Sequence, residues 1–234
     1  ERVDAGTQIR RREARRASLV VELESGPPYR FGEIRVSGTR RYSDGLVQNL
    51  SPVHPGDDYD RDKLVIYQRL LLESGYFVSV QADVDRSEGA PDAALLRVVV
   101  IEASKHHVEA GINYATDTGF GVLFNYTNQA LFDSEWRFRS TLRVDDTTKT
   151  LEFNFDSPPR PGGYWNSYLL RPYRETDIQN VRTKEAVVGV SRNWGAETPP
   201  SAVIFSANWE EESVSGGPFT DRHAVYLGYR RTFR

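Results

Sequence analysis

From His106 to the end of the chain, apolar and polar residues alternate in one run after another, and this period of two most limits what the chain can become. Successive side chains of a strand point to opposite sides, so strict alternation writes two faces onto a sheet. HHVEAGINYAT sets Val108, Ala110, Ile112 and Tyr114 on one face and Glu109, Gly111 and Asn113 on the other. SEWRFRSTLRV opposes Trp136, Phe138, Leu142 and Val144 to Arg137, Arg139, Thr141 and Arg143, and TTKTLEFNFDSP opposes Leu151, Phe153 and Phe155 to Glu152, Asn154 and Asp156. Similar runs near 119–129, 164–173, 185–194, 202–211 and 223–233 predict about eight strands of about ten residues. That length matches the ~9–11 residues of a tilted transmembrane strand. No apolar run approaches the ~18–20 residues of a membrane helix. If a bilayer is involved, a closed barrel is the only remaining way across it.

A soluble sandwich also alternates, but its apolar face is usually aliphatic. Here the polar face is densely charged, while the apolar one carries Tyr126, Trp136, Tyr168, Trp209, Tyr229 and Phe233 near strand ends, where interfacial girdles require aromatics. TDTG and DDTT read as short connections; RETDIQNVRTKE and ESVSGGPFTDR read as long polar loops. Pro172 lies inside a strand pattern and implies a bulge or a strand end, because it removes a ladder donor.

Residues 29–103 have a different texture and form one small α+β unit. YRFGEIRVSG alternates through Phe31, Ile34 and Val36 and ends at Gly38. Ser43 is placed to cap a short helix that Pro52 stops. SPVHPGDDY then delivers Asp60 as N-cap of a second helix, in which Leu64, Tyr67, Leu70 and Leu71 make an apolar stripe. Gly75 supplies a left-handed C-cap, and Tyr76 and Phe77 open a strand that returns as a hairpin through ALLRVVVIEA. The order is strand, helix, helix, strand, strand.

Residues 1–25 end in strand-like LVVEL, closed by SGPP. Arg10, Arg11, Arg12, Arg15 and Arg16 read as a solvated hairpin tip before a nucleic-acid patch, since 30 basic against 33 acidic residues leave a net charge of −3. The chain has no Cys, which excludes disulfides and thiolate metal sites, and no Met even at position 1, which reads as an internal fragment. His106 and His107 are adjacent on a strand and point to opposite faces, while His54 and His223 are remote, so no metal set converges. No nucleophile elbow is present, the glycines of TGFGV sit in a hairpin instead of a phosphate loop, and the acid clusters at Asp145–Asp146 and 210–212 read as solvated strand ends. No catalyst and no cofactor is expected.

PGDDYD before the second helix, ESGYF after it, and the junction ASKHHVEAGINYATDTGFGVLFNYTN resemble the POTRA-plus-barrel outer-membrane assembly superfamily of the BamA/TamA type, closest to its TamA branch. The resemblance covers nearly the whole chain. It implies that 1–25 end a preceding POTRA domain, that 26–104 form a POTRA domain with Gly38, Asp60, Gly75, Tyr76 and Phe77 as its structural signature, and that 105–234 form the N-terminal half of a barrel of about sixteen strands. The late-loop motif of that family would lie beyond Arg234. The strand 107–115, with Val108, Ala110, Gly111, Ile112 and Tyr114, resembles the gate strand that closes such barrels. Gly111 either weakens that seam or makes room for a neighbouring side chain. The resemblance further implies a non-enzymatic protein of the Gram-negative outer membrane with its POTRA domains in the periplasm. Its partners would be the bilayer, unfolded outer-membrane or autotransporter clients and an inner-membrane-anchored TamB-like protein, and no nucleic acid. A BamA-like insertase, a two-partner secretion pore, the barrel anchor of an upstream patatin-like lipase and a soluble periplasmic binding module are the alternatives. Eight strands cut from a larger barrel are expected not to close.

Overall fold

The computed structural model describes residues 3–11, 17–25, 29–85, 93–178, 181–194, 201–214 and 216–231. β1 (Val3–Arg11) and β2 (Ala17–Ser25) pair antiparallel as a separate two-stranded sheet. The sequence pattern anticipated only the second of these. Arg10 and Arg11 end β1; Arg12, Arg15, Arg16 and the turn at 26–28 lie outside the described residues.

The unit that follows folds in the anticipated order: β3 (Phe31–Ser37), α1 (Asp44–Asn49), α2 (Arg61–Glu73), β4 (Phe77–Asp85) and β5 (Ala94–Glu102). β5 is the central strand, parallel to β3 and antiparallel to β4. The α2 stripe is buried at Leu64, Tyr67, Leu70 and Leu71. It packs with Leu46 and Val47 of α1 and with Leu96, Val98 and Val100 of β5, so the hydrophobic core sits between the helices and one sheet face. The buried Tyr67 hydroxyl donates to the Val47 carbonyl at 2.8 Å, which satisfies its polar end. Asp60 caps α2 as expected, accepting from the Asp62 N–H at 2.8 Å. Gly38 and Gly75 both take positive φ, 96° and 77°. A Cβ on Gly38 would lie 2.0 Å from the Val100 carbonyl oxygen, so no larger residue fits there without moving the sheet.

Two local expectations need correction. Ser43 sits at the N-cap of α1, yet its side chain makes no capping bond. Its hydroxyl donates instead to Glu135 at 2.7 Å, 92 residues away, a charge-assisted bond stronger than the neutral capping bond. Tyr76 does not open a strand either: β4 starts at Phe77, and Tyr76 stands between helix and strand.

The remaining strands are β6 (His106–Ala115), β7 (Gly119–Asn128), β8 (Arg137–Val144), β9 (Thr148–Asp156), β10 (Tyr164–Ile178), β11 (Val181–Trp194), β12 (Ser201–Val214) and β13 (Thr220–Arg231). They pair antiparallel, each with its neighbour in sequence, into one eight-stranded sheet with β6 and β13 at its edges. Among the described residues β6 and β13 do not pair with each other. Registers carry the alternation across it: Ala110 faces Phe124, Phe124 faces Leu142, Leu142 faces Leu151 and Leu151 faces Tyr173. A second apolar row runs Phe138, Phe155, Tyr168, Val190, Phe205, Leu227. On the opposite face Arg139 and Arg137 reach Asp156, and Arg171 bridges Glu152 at 2.7 Å and Glu185 at 3.5 Å.

Pro172 produces the anticipated bulge. Register shifts between Leu170 and Tyr173 against β9, and between Arg171 and Arg174 against β11. RETDIQNVRTKE, in contrast, is not a loop. β10 and β11 continue through it, pairing up to Ile178 with Val181, and ESVSGGPFTDR is likewise shortened by β12 and β13. Cross-strand charges explain the extension: Arg182 meets Asp177 at 3.0 Å and Glu175 at 4.0 Å, and Lys149 meets Glu175 at 3.6 Å. The apolar face thus ends near Tyr173 and Trp209, and charged hairpins stand beyond it. All four connections that the sequence separated into short and long lie at this same end, opposite the POTRA-like unit.

Candidate functional site

Two features could act on another chain: the free strand edges, and the joint that fixes one edge relative to the other. In the small sheet, the outer side of β3 is already occupied. Phe31 N–H donates to Asp57 at 2.8 Å, Gly56 N–H donates to Phe31 at 2.7 Å, and Gln48 Nε2 donates to the Ile34 carbonyl at 3.3 Å. The linker between α1 and α2 therefore covers the start of that edge, at Phe31, and Gln48 of α1 takes the Ile34 carbonyl. β4 is paired with another strand on one side only, among the described residues. Its outer side offers backbone donors and acceptors, with Gln68 taking the Ala82 carbonyl at 3.2 Å. Val78 and Ile101 are exposed on the solvent face beside it.

β6 is the second free edge. It pairs in unbroken register with β7, from His106 opposite Asn128 to Ala115 opposite Gly119, and among the described residues bonds no strand on its other side. Val108, Ala110, Gly111, Ile112 and Tyr114 all lie exposed along it, Ile112 at 85%. A Cβ at Gly111 would find nothing within 4 Å, so this glycine does not make room for a side chain of β7. On the polar face, Glu109 accepts from Asn125 at 3.3 Å and faces His107 at 3.2 Å. On the apolar face, Tyr114 packs against Phe120, ring centroids 5.0 Å apart.

The joint holds β6 close to the POTRA-like core, and sequence reasoning missed it. Tyr76, 1% exposed, donates its hydroxyl to the Glu135 carbonyl at 2.7 Å. Burial pushes its phenol well above the ordinary value, so it stays a donor at every physiological pH. Tyr42 donates to the Gln129 carbonyl at 3.1 Å, Ser43 N–H and Oγ both donate to Glu135, and Asn49 donates to Pro159 at 3.0 Å. Ala130, in the β7–β8 connection, is fully buried and belongs to the same hydrophobic cluster as Tyr42 and Tyr76. The two units therefore share one core.

Arg137 is the hub of this joint. Its guanidinium donates to the Ser74 carbonyl at the end of α2, lies 5.0 Å above the Tyr76 ring and bonds Asp156 at 3.0 Å. Asp156 is 3% exposed and also accepts from Arg139. A carboxylate so buried requires these partners. Beside them lies a mainly apolar cavity of about 220 Å³, lined by Leu50, Leu70, Tyr76, Pro159 and Trp165. Of the five signature residues, Gly75, Tyr76 and Phe77 meet at or just behind this joint, whereas Gly38 and Asp60 serve the POTRA-like unit internally. The ESGYF stretch thus does more than turn a helix into a strand.

Glu102, at the end of β5, prepares the other half. One of its oxygens accepts from the N–H groups of Arg40, Arg41 and Tyr42 at 2.7, 2.7 and 3.2 Å. Burial pushes its carboxyl up, but the three backbone donors pull it further down, so it is held below the usual range. It thereby fixes the loop that presents Tyr42 and Ser43. No cluster of three or more metal-ligating side chains occurs among the described residues.

Residues 29–103 match the POTRA family, described as surface antigen variable number repeat. Over 122 residues, 52% of this chain and 16% of the other, the sequence is 25% identical to the outer membrane protein assembly factor BamA of Neorickettsia risticii (strain Illinois). Over 120 residues, 51% of this chain and 15% of the other, it is 25% identical to the same factor from Neisseria meningitidis serogroup B. The fold is similar to BamA from Haemophilus ducreyi lacking POTRA domains 1-3, with TM-score 0.63, 9% identity, and coverage of 97% of this chain and 47% of that one. It is also similar to CdiB from Acinetobacter baumannii, with TM-score 0.58, 11% identity, and coverage of 88% and 44%. The chain spans about half of each solved barrel chain, and the matched stretch about a sixth of each curated relative. The architecture is a POTRA domain followed by an eight-stranded antiparallel sheet that resembles part of the BamA barrel.

Two outcomes follow for the joint. Arg137→Ala leaves Asp156 buried with one partner and should cost about 3 kcal/mol, whereas Tyr76→Phe removes one neutral hydrogen bond and should cost about 1 kcal/mol. Spin-label distances between the POTRA domain and the β8–β9 turn should broaden markedly in the first variant and slightly in the second. For Glu102, a lowered folded value means that its stabilisation is present above the unfolded value of ~4.3 and is lost as pH falls through the folded one. Arg40 and Arg41 amide resonances should stay constant from pH 7 to about that value and move only below it, and Glu102→Gln should displace them at every pH.

Proposed function

We propose that this chain acts in outer-membrane protein assembly or translocation, as a non-enzymatic factor that works by strand pairing. The observation that carries this reading is β6, which follows the POTRA domain after only three residues, 103–105, and among the described residues pairs with one strand only, β7. An open edge binds extended chain through backbone hydrogen bonds and accepts many sequences, because side chains contribute little to the ladder. β4 gives the POTRA domain a second such edge. An unfolded outer-membrane or autotransporter client receives a first strand contact at β4 and a template at β6.

The working place is the Gram-negative outer membrane, with the POTRA domain in the periplasm. The two aromatic-flanked apolar rows support it: they leave Val188, Val225 and Leu227 exposed in a band that water would disfavour and lipid would accept. The same band weighs against a soluble binding module. Within the superfamily the finer reading is a TamA-like subunit with an inner-membrane-anchored TamB-like partner, supported by the SGPPYRFGEIRVSG and HHVEAGINYATDTGFGV stretches. The second reading, a BamA-like insertase, is favoured by the two curated relatives of that name.

The natural absence of Cys makes the test direct. Single cysteines at Glu109, Gly111 and Asn113 should form disulfides with a client strand that carries one cysteine, in step with the register as the client cysteine is moved by two. Cysteine at Val188, in mid-sheet, should form none. Equal trapping at both places removes the pairing mechanism.

A further inference from the structure

The connection between β7 and β8 contains a residue that neither the fold nor the joint explains. Phe132 has φ 54° and ψ 36°, and Asp133 after it also has φ 54°. A bulky side chain in the left-handed region costs ~1–2 kcal/mol relative to the right-handed one, a penalty that Gly avoids. Core packing does not compensate, because Phe132 is 92% exposed. Glu135 of the same turn is engaged toward the POTRA domain, its carboxylate accepting from Ser43 and its carbonyl from Tyr76, while Asp133 pairs with Lys105 of the link and Ser134 donates to the Leu131 carbonyl within the turn. The turn closes through Leu131 N–H donating to the Trp136 carbonyl at 2.8 Å. Trp136 stacks on Tyr168, ring centroids 5.9 Å apart, at the POTRA-proximal limit of the apolar face. Phe132 lies four residues before Trp136, inside the turn that the Leu131–Trp136 bond closes.

We infer that Phe132 is a lipid anchor, inserted into the headgroup region of the periplasmic leaflet, and that its turn acts as a bracket with the membrane on one side and the POTRA domain on the other. This rests on the membrane reading above. An aromatic ring at the interface gains from burying its apolar body at headgroup depth, which offsets the cost of its backbone conformation. Because Glu135 ties the turn to Ser43 and Tyr76 of the POTRA domain and Asp133 ties it to Lys105 of the link, the depth of Phe132 sets the height and tilt of that domain relative to the bilayer.

The experiment uses Phe132→Cys, Leu142→Cys and Val65→Cys variants, each labelled with an environment-sensitive fluorophore and refolded into phosphatidylcholine vesicles whose acyl chains carry bromine at shallow or deep positions. Leu142 lies mid-face on β8, and Val65 is an exposed apolar residue of α2. The inference predicts quenching at Phe132→Cys by the shallow bromines, at Leu142→Cys by the deep ones, and none at Val65→Cys. Quenching at Leu142→Cys without any at Phe132→Cys overturns the anchor and leaves the membrane reading standing; a protein partner then becomes the occupant to seek. Absence of quenching at Leu142→Cys overturns the membrane reading and the anchor with it. Phe132→Gly adds a check against misfolding, since relief of positive φ keeps the turn folded. It should widen the distribution of POTRA-to-bilayer distances, and an unchanged distribution contradicts the bracket.

Discussion

A backbone edge without a hydrogen-bond partner cannot rest in hydrocarbon, and this constraint governs the molecule. Each unpaired N–H or C=O placed in lipid costs several kcal/mol, so every strand of a membrane sheet must find a neighbour on both sides. Among the described residues six strands of the sheet have a neighbour on both sides, and β6 and β13 each have one on one side, in a chain that spans about half of the similar solved chains. Such edges are a hazard in an ordinary protein and a working surface in an assembly factor. The chemistry is the same in both cases, and the difference lies in what controls access to the edge.

Control here comes from position. β6 leaves the POTRA domain after a three-residue link, and the joint around Arg137, Tyr76 and Glu135 removes most of the freedom that such a link would otherwise have. The two edges therefore have a defined separation and orientation. Under the proposed function, a client segment held at β4 would be near β6 with a raised effective concentration, which a flexible tether would dilute. The buried Arg137–Asp156 pair adds little net stability for the charge it desolvates. Its use is geometric, since it fixes three segments, the end of α2, the start of β8 and the end of β9, at one point.

The sheet was legible in the sequence because a period of two survives any tertiary context that keeps one face apolar. The POTRA order was legible for a local reason: Asp60, Gly75 and the α2 stripe signal their element without help from elsewhere. What could not be read was set by contacts distant in sequence. Ser43 has the composition and place of a capping residue, yet its hydroxyl goes to a carboxylate 92 positions away. Tyr76 looked like the first residue of a strand and proved to be a buried link to Glu135, 59 positions on. The stretch RETDIQNVRTKE looked like a loop because it is polar, but its charges are complementary across a hairpin, a property of register that composition does not carry. The candidate gate residues Val108, Ala110, Gly111, Ile112 and Tyr114 share one exposed strand, and their role as a gate remains part of the proposal.

The central claim is that clients bind by adding a strand to β6. Amide hydrogen exchange on the vesicle-inserted protein, read along β6 with and without an unfolded β-rich client, tests it most directly. The account predicts that amides of β6 gain protection on client addition in an alternating pattern, every second residue, since only alternate N–H groups face the open side. Protection confined to the polar face of β8–β11 or to α2, with β6 unchanged, would contradict it.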